Sequence, residues 1–204
     1  MVKKILVTGG AGYIGTSLVP KLLRDGHEVT VFDNLMVGGN QILPFFRYNN
    51  FNFVRGDIRD VNDLKDVVKN KDIVIHLAGI TDVAYVKSDN SQNEEEIKTV
   101  GEIGTRNIIN ALSQEAKLIF PSTHVVFEGF KEVKENLTED EEPNPVLTYS
   151  VNKRNSEIDI INSKKQYIIL RLGSVYGYST DTMRIGIMPN LFSKIASQDG
   201  SIKL

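Results

Sequence analysis

Thr8–Gly9–Gly10–Ala11–Gly12–Tyr13–Ile14–Gly15 decides how the rest of this 204-residue chain is read. The apolar run Lys4–Thr8 leads into it. Ile14, Leu18 and Leu22 lead out of it at helical spacing, with Gly26 as a stop. Gly10, Gly12 and Gly15 fit the pattern G-x-G-x-x-G, and Gly9, Gly12 and Gly15 fit G-x-x-G-x-x-G. The physics of the two is the same. One glycine lets the chain turn sharply, another lets main chain approach a pyrophosphate, and a third lets the helix pack tightly on its sheet. The free N–H groups and positive dipole end of the helix then face the phosphates.

Working outward, short apolar runs alternate with longer amphipathic ones. The runs predict strands at Lys4–Thr8, Glu28–Phe32, Asn52–Arg55, Ile73–Leu77, Leu118–Pro121 and Tyr167–Arg171. Most are apolar on successive residues, as strands buried on both faces should be. Helices are expected at Tyr13–Asp25, Val61–Lys69, Glu94–Glu115 and Tyr149–Asn162. This alternation implies right-handed crossovers and an α/β fold with a doubly wound, Rossmann-like parallel sheet. Ligands on such sheets bind at the carboxyl ends of the strands, where the strand order reverses. Asp33 ends the second strand about 20 residues beyond Gly12, where a carboxylate accepts ribose hydroxyls and repels a 2′-phosphate. That favours NAD over NADP; the plain alternative is a tight turn in a ligand-free protein, with Asp33 as a strand-end cap.

Composition bounds the rest. With 41% apolar and 25% charged residues the chain reads as globular, and a formal charge of −2 gives no electrostatic case for nucleic acid. The absence of cysteine excludes disulfides, thiolate-ligated zinc and thiol catalysis. No apolar run approaches the roughly 20 residues of a membrane span, and no secretory signal is read at the start, so a cytoplasmic location is expected. Phe130–Pro145 is polar and acid-rich and reads as an exposed loop; its acids and Glu94–Glu96 read as solvated faces.

Tyr149 and Lys153 lie one helical turn apart on one face. A tyrosine titrates near ~10, and an adjacent ammonium favours the phenolate, bringing it toward general-base range. Ser122 and Thr123 end a predicted strand, where a hydroxyl can share the substrate oxygen that Tyr149 deprotonates. Taken alone, each feature has a bland reading: a surface Tyr/Lys contact and a strand cap.

Taken with Phe32–Leu35, Gly56–Arg59, His76–Gly79, Gly104–Thr105 and Arg171–Gly177, these motifs resemble the extended short-chain dehydrogenases/reductases. Within them the likeness is to the NAD-dependent sugar epimerase/dehydratase group, and it runs from Val2 to about Gly177. The resemblance implies NAD as cofactor. It puts Gly9, Gly12, Tyr13, Ile14 and Gly15 along the pyrophosphate, Asp33 and Asn34 on the adenosine ribose, and Asp57 with Ile58 at the adenine. Leu77, Ala78 and Gly79 would line the trough, and Lys153 would hold the nicotinamide ribose. Tyr149 would be the acid/base, Thr123 its helper, and His76 structural. Three positions depart from the pattern: Gly101 and Ser174 stand where asparagines are common, and Asn152 where a small residue precedes the lysine.

The implied activity is that of a nucleotide-sugar 4-epimerase acting on a UDP- or other NDP-hexose. Family dehydratases and decarboxylases need a further acid after the Ser/Thr position, where this chain has His124 and Val125. A rival reading is a 4-keto-deoxysugar reductase, because Ser122–Gly129 and Pro143–Asn144–Pro145 are similar to reductase motifs. A third is a non-catalytic dinucleotide sensor, because the substrate lobe is short. The expected division is a dinucleotide domain over 1–178 and an incomplete lobe over 179–204. That lobe would begin with a helix at Thr182–Ser197 carrying Met183, Ile187, Leu191 and Ile195 at helical spacing. The helices Glu94–Glu115 and Tyr149–Asn162 match those that pair such proteins, so a homodimer is expected.

Overall fold

Ile5, Leu6 and Val7 point alternately to the two faces of a strand, and each face has a core to receive them. In the computed structural model, which describes residues 1–81, 91–132, 134–179, 184–198 and 200–201, they lie in β1 (Lys4–Thr8). Leu6 joins Phe32, Val74, Leu118 and Phe120 in one cluster, and Ile5 and Val7 join Val29, Val31 and Ile75 in another. Burying each such side chain stabilises by ~1.5–3 kcal/mol, and the two clusters sandwich the sheet.

Among the described residues, β1 lies with β2 (Glu28–Asp33), β3 (Phe51–Arg55), β4 (Ile73–His76), β5 (Lys117–Thr123) and β6 (Gln166–Leu172) in one parallel sheet. Its order is β3-β2-β1-β4-β5-β6. The chain steps outward from β1 to β3, then crosses back to lay β4 on the other side of β1. Thr8 therefore pairs with both Phe32 and His76. Between these strand tips the order reverses and a crevice opens. α1 (Tyr13–Arg24) and a 3₁₀ helix (Asn40–Arg47) supply Val19, Leu23, Ile42 and Phe45 to one face. α2 (Val61–Val68), α4 (Gly104–Ala111) and α5 (Thr148–Asn162) supply Leu64, Ile108 and Ile160 to the other.

The predicted strands fall within a residue or two of the observed ones. Five differences have physical causes. The buried stripe of α1 is Gly15, Val19 and Leu23, one residue round from Ile14, Leu18 and Leu22. A Cβ on Gly15 would lie 2.4 Å from the Gly10 carbonyl oxygen, so the helix must seat that glycine against the turn. Burial on both faces fails at β3 and β6, the two edges of the described sheet, where Tyr167, Ile168 and Leu170 are exposed. The single helix expected at Glu94–Glu115 is α3 (Ser91–Lys98), a π-helical turn (Thr99–Ile103) and α4, ending at Ala111. The helix expected from Thr182 is α6 (Met188–Ser197), with Pro189 in its first turn, where a missing N–H costs least. Thr182 and Met183 lie outside the described residues. The 3₁₀ helix, interrupted by Pro44, has no counterpart in the hydrophobic pattern.

Candidate active site

Gly9 turns the chain off β1 with φ 68°. A Cβ there would sit 2.5 Å from the Ala78 nitrogen, so only glycine lets the tips of β1 and β4 approach this closely. Gly12 precedes α1; no side chain caps the helix and its first turn has no acid. The first amides of α1 thus face the crevice as an anion site, and these residues fit a dinucleotide pyrophosphate. The Tyr13 side chain is engaged elsewhere. Its hydroxyl donates to the Gly177 carbonyl at 2.6 Å and accepts from Asn190 Nδ2 at 2.9 Å, while Gly177 N–H donates to Asn190 Oδ1 at 3.0 Å. This ring of bonds fastens α6 to the start of α1.

Asp33 is 8% exposed at the tip of β2. Its two oxygens accept the amides of Ala11 at 3.0 Å and Leu35 at 2.8 Å. Burial raises its carboxyl above the ordinary value against the pull of both amides. Each oxygen keeps a second lone pair for a ribose hydroxyl. Beside it, Asn34 donates to Asp57, whose carboxylate is gripped by Arg59 at 2.9 and 2.6 Å. The Arg59 guanidinium holds Asp57 down to about 2. Ile58 turns into the core, and a Cβ on Gly104 would meet its Cδ1 at 2.4 Å. Leu77, Ala78 and Gly79 follow β4, with Gly79 exposed. His76 is buried in a chain from Thr8 Oγ1 (2.7 Å) to Thr105 Oγ1 (3.1 Å) and is pushed down to about 3 by burial, with Lys153 adding to it. It is neutral and structural.

At the tip of β5, Thr123 Oγ1 accepts the Val125 amide at 3.2 Å and stands close enough to the Tyr149 phenol to pull its titration down. The expected partners therefore meet. Lys153 finds its acceptor on the strand rather than at the phenol. Its Nζ donates to the Pro121 carbonyl at 2.9 Å and lies 4.5 Å from the centre of the Phe120 ring. An ammonium under the helix must find such acceptors, and burial lowers it to about 8 while Glu157 opposes. The phenol of Tyr149 is correspondingly raised by burial, not lowered by Lys153; Arg184 and Thr123 are the groups that pull it down. Ser122, expected beside Thr123 at the substrate, faces the other way. Among the described residues its Oγ is the buried side-chain polar atom without a normal hydrogen bond, and it lies toward Glu157. His124 is tied to β6, its Nδ1 on the Leu172 carbonyl at 3.0 Å.

Sequence reasoning missed three residues. Glu157 is fully buried one turn below Lys153 and takes Arg171 at 3.0 and 2.9 Å and Arg154 at 3.1 Å. Its i, i+4 relation to Lys153 was a usable signal. Glu128 accepts the Val146 and Leu147 amides at 2.9 and 2.7 Å and the Ser150 hydroxyl, fixing the entry to α5. Arg184, whose guanidinium donates to the Thr81 carbonyl, had no local signal at all.

With this geometry in place, residues 5–204 match the profile of the NAD dependent epimerase/dehydratase family. The chain belongs to that family. A UDP-N-acetyl-alpha-D-glucosaminuronate decarboxylase of Bacillus cytotoxicus is 38% identical over 128 residues, which are 62% of this chain and 38% of the relative. The UDP-glucuronic acid 4-epimerase of Bacillus cereus, crystallised with NAD, superposes with a TM-score of 0.81 at 26% identity, covering 98% of this chain and 65% of that one. The UDP-glucose 4-epimerase of Thermus thermophilus, also with NAD, gives 0.79 at 27% over 98% and 65%. The chain thus spans less than two thirds of the length of these relatives. Among the described residues, no helix of this epimerase/dehydratase family member is long and apolar enough to cross a membrane.

Proposed function

We propose that this chain binds NAD in the crevice between β1 and β4 and carries the acid/base half of a nucleotide-sugar 4-epimerase. The observation that carries the reading is the phenol of Tyr149 close to Thr123 at the carboxyl edge of the sheet, one turn from the Lys153 ammonium and on the same sheet edge as an uncapped, glycine-built helix start. The glycine turn with Tyr13 and Ile14 holds the pyrophosphate, and Asp33 and Asn34 hold the adenosine ribose. Asp57 and Ile58 stand at the adenine; Leu77, Ala78 and Gly79 line the trough. When bound, the cofactor supplies a reversible hydride acceptor. Tyr149 takes the proton of a sugar hydroxyl and later returns it, Thr123 fixes that oxygen, and Lys153 orients the inner ribose. A UDP- or other NDP-hexose is the substrate class, and residues 179–204 begin the lobe that receives it. Ile103 at the end of the π-helical turn and Val151, Ile158 and Ile161 on α5 leave apolar surface, which supports a homodimer through this turn and α5.

A second reading has its own support. Gly129 and Asn144 exchange two hydrogen bonds of 2.9 Å, so the two motifs similar to 4-keto-deoxysugar reductases meet at the base of the acidic loop. The test is protein purified without added ligand. Bound NAD found by mass spectrometry, with epimerisation of a UDP-hexose and free NADH left unchanged, supports the epimerase. Steady NADH oxidation with a 4-keto sugar selects the reductase, and NAD binding without turnover selects the non-catalytic sensor.

A further inference from the structure

The buried face of α5 is polar but for Ile160: Ser150, Asn152, Ser156 and Glu157 make up the rest of it. Asn152 is aimed at the break in the facing helix. Its Nδ2 donates to the carbonyls of Ile97 at 3.1 Å and Lys98 at 3.3 Å, the last residues of α3 before the π-helical turn. A π turn lengthens the helical hydrogen bonds by one residue and leaves carbonyls at its start out of the regular ladder. Asn152 supplies donors to two of them. Its Oδ1 lies 1.9 Å from where a Cβ on Gly101 would stand, so the amide rests in a notch that only glycine provides. Asn155 Nδ2 to Glu102 Oε1 at 2.9 Å and Ser156 Oγ to the Gly101 carbonyl at 3.4 Å extend the same seam. Gly101, Asn152, Lys153 and Tyr149 also line one cavity of about 10 Å³, room for about one water. Two of the three departures from the family pattern, Gly101 and Asn152, are thus in contact.

Resting on the acid/base reading of Tyr149 and Lys153, we propose that Asn152 is a positioning residue. With Gly101 it forms a lock that sets the rotation of α5, and hence where the phenol and ammonium stand against the sheet. The lock predicts coupling of a particular sign. Alanine for a helical glycine ordinarily stabilises. Here Gly101→Ala collides with Asn152 and destabilises, whereas the same change in an Asn152→Ala background is harmless or helpful.

The experiment compares the wild-type chain with Gly101→Ala, Asn152→Ala, Asn152→Asp and the double alanine variant. It reads thermal midpoints, NAD affinity by calorimetry, and the phenolate titration of Tyr149 as the difference from a Tyr149→Phe background. The expected result is a midpoint for the double variant at or above that of Asn152→Ala, with Gly101→Ala well below wild type. Asn152→Ala and Asn152→Asp, which both remove the donor, should each move the Tyr149 titration by about half a unit or more. If Gly101→Ala does not fold, folding of the double variant gives the same support, and failure of both overturns the lock. Additive losses in midpoint, or a Tyr149 titration unmoved by Asn152→Ala, also overturn it. Absence of NAD affinity in the wild-type chain would sink the functional reading instead, leaving the cycle and the titration to judge the lock.

Discussion

The Asp33 carboxylate accepts the Ala11 amide at 3.0 Å, so the acid at the tip of β2 holds the glycine turn that it flanks. Asp33→Ala strands the buried Ala11 amide and should lower unfolding free energy by about 1–3 kcal/mol in a denaturant titration. Because burial raises this carboxyl, its ionised form is lost early as pH falls. NAD affinity measured by calorimetry should weaken toward acid pH in the wild type and stay flat in Asp33→Asn, whose preference for NAD over NADP should shrink about tenfold.

Lys153, lowered to about 8 from an unfolded value near 10.5, gives a second pH signature. Below about 8 both states bind the proton and the native state bears the cost of the buried ammonium. Between about 8 and 10.5 only the unfolded state still binds it, so stability rises with pH. The thermal midpoint of wild type minus that of Lys153→Met should increase across this window. A difference that is flat or falls there would contradict the burial of the ammonium.

The strands, the crevice at their tips and the nearness of Tyr149 to Thr123 were legible because each rests on a local rule: apolar runs, glycine spacing, and the strand-end position of ligands. What was not legible depends on contacts between distant segments. The π turn arises where Asn152 meets Gly101, and neither residue announces the other. Lys153 was read from its one-turn spacing to Tyr149, yet the Pro121 carbonyl and Glu157 decide where its charge goes. α5 carries no apolar stripe to read, since four of the five residues it buries, Ser150, Asn152, Ser156 and Glu157, are polar, with Ile160 the fifth.

Asp57 and Arg59 give an acid-side prediction. The Arg59 guanidinium holds Asp57 down to about 2 from 3.8. A carboxyl depressed in the folded state stabilises above its unfolded value, and that contribution is lost as pH falls from about 4 to about 2. Arg59→Leu should return the Asp57 titration, followed by carboxyl NMR, toward the ordinary value. The pair is partly exposed, and solvent screens it, so the midpoint of thermal unfolding at neutral pH should change little.

Glu157 is the opposite case, fully buried beneath Arg171 and Arg154. Removing one member of such a group leaves the others uncompensated, at a cost of about 3–5 kcal/mol. Glu157→Ala should therefore fall by that amount in denaturant unfolding. Glu157 also supports the Lys153 charge, so Glu157→Gln should move the Lys153 titration further below about 8. A Lys153 titration unchanged in that variant would show that the two charges are not in electrostatic contact.

Glu128 fixes the entry to α5 from the opposite end of the site. Burial raises its carboxyl, but the bonds from Ser150, Leu147 and Val146 outweigh burial and hold it below the ordinary value. The three donors flank Tyr149, so loss of the acceptor frees the first turn of the helix that carries the phenol. Glu128→Ala should cost about 0.5–2 kcal/mol, the range for removing an acceptor at a helix start. It should also reduce turnover, or the Tyr149-dependent step of whichever reaction the chain performs, more than it weakens NAD affinity. Glu128→Gln keeps an oxygen acceptor for the two amides and should stay near wild type in stability. Equal losses in the Ala and Gln variants would mean that the carboxylate charge, not the acceptor geometry, holds the first turn of α5.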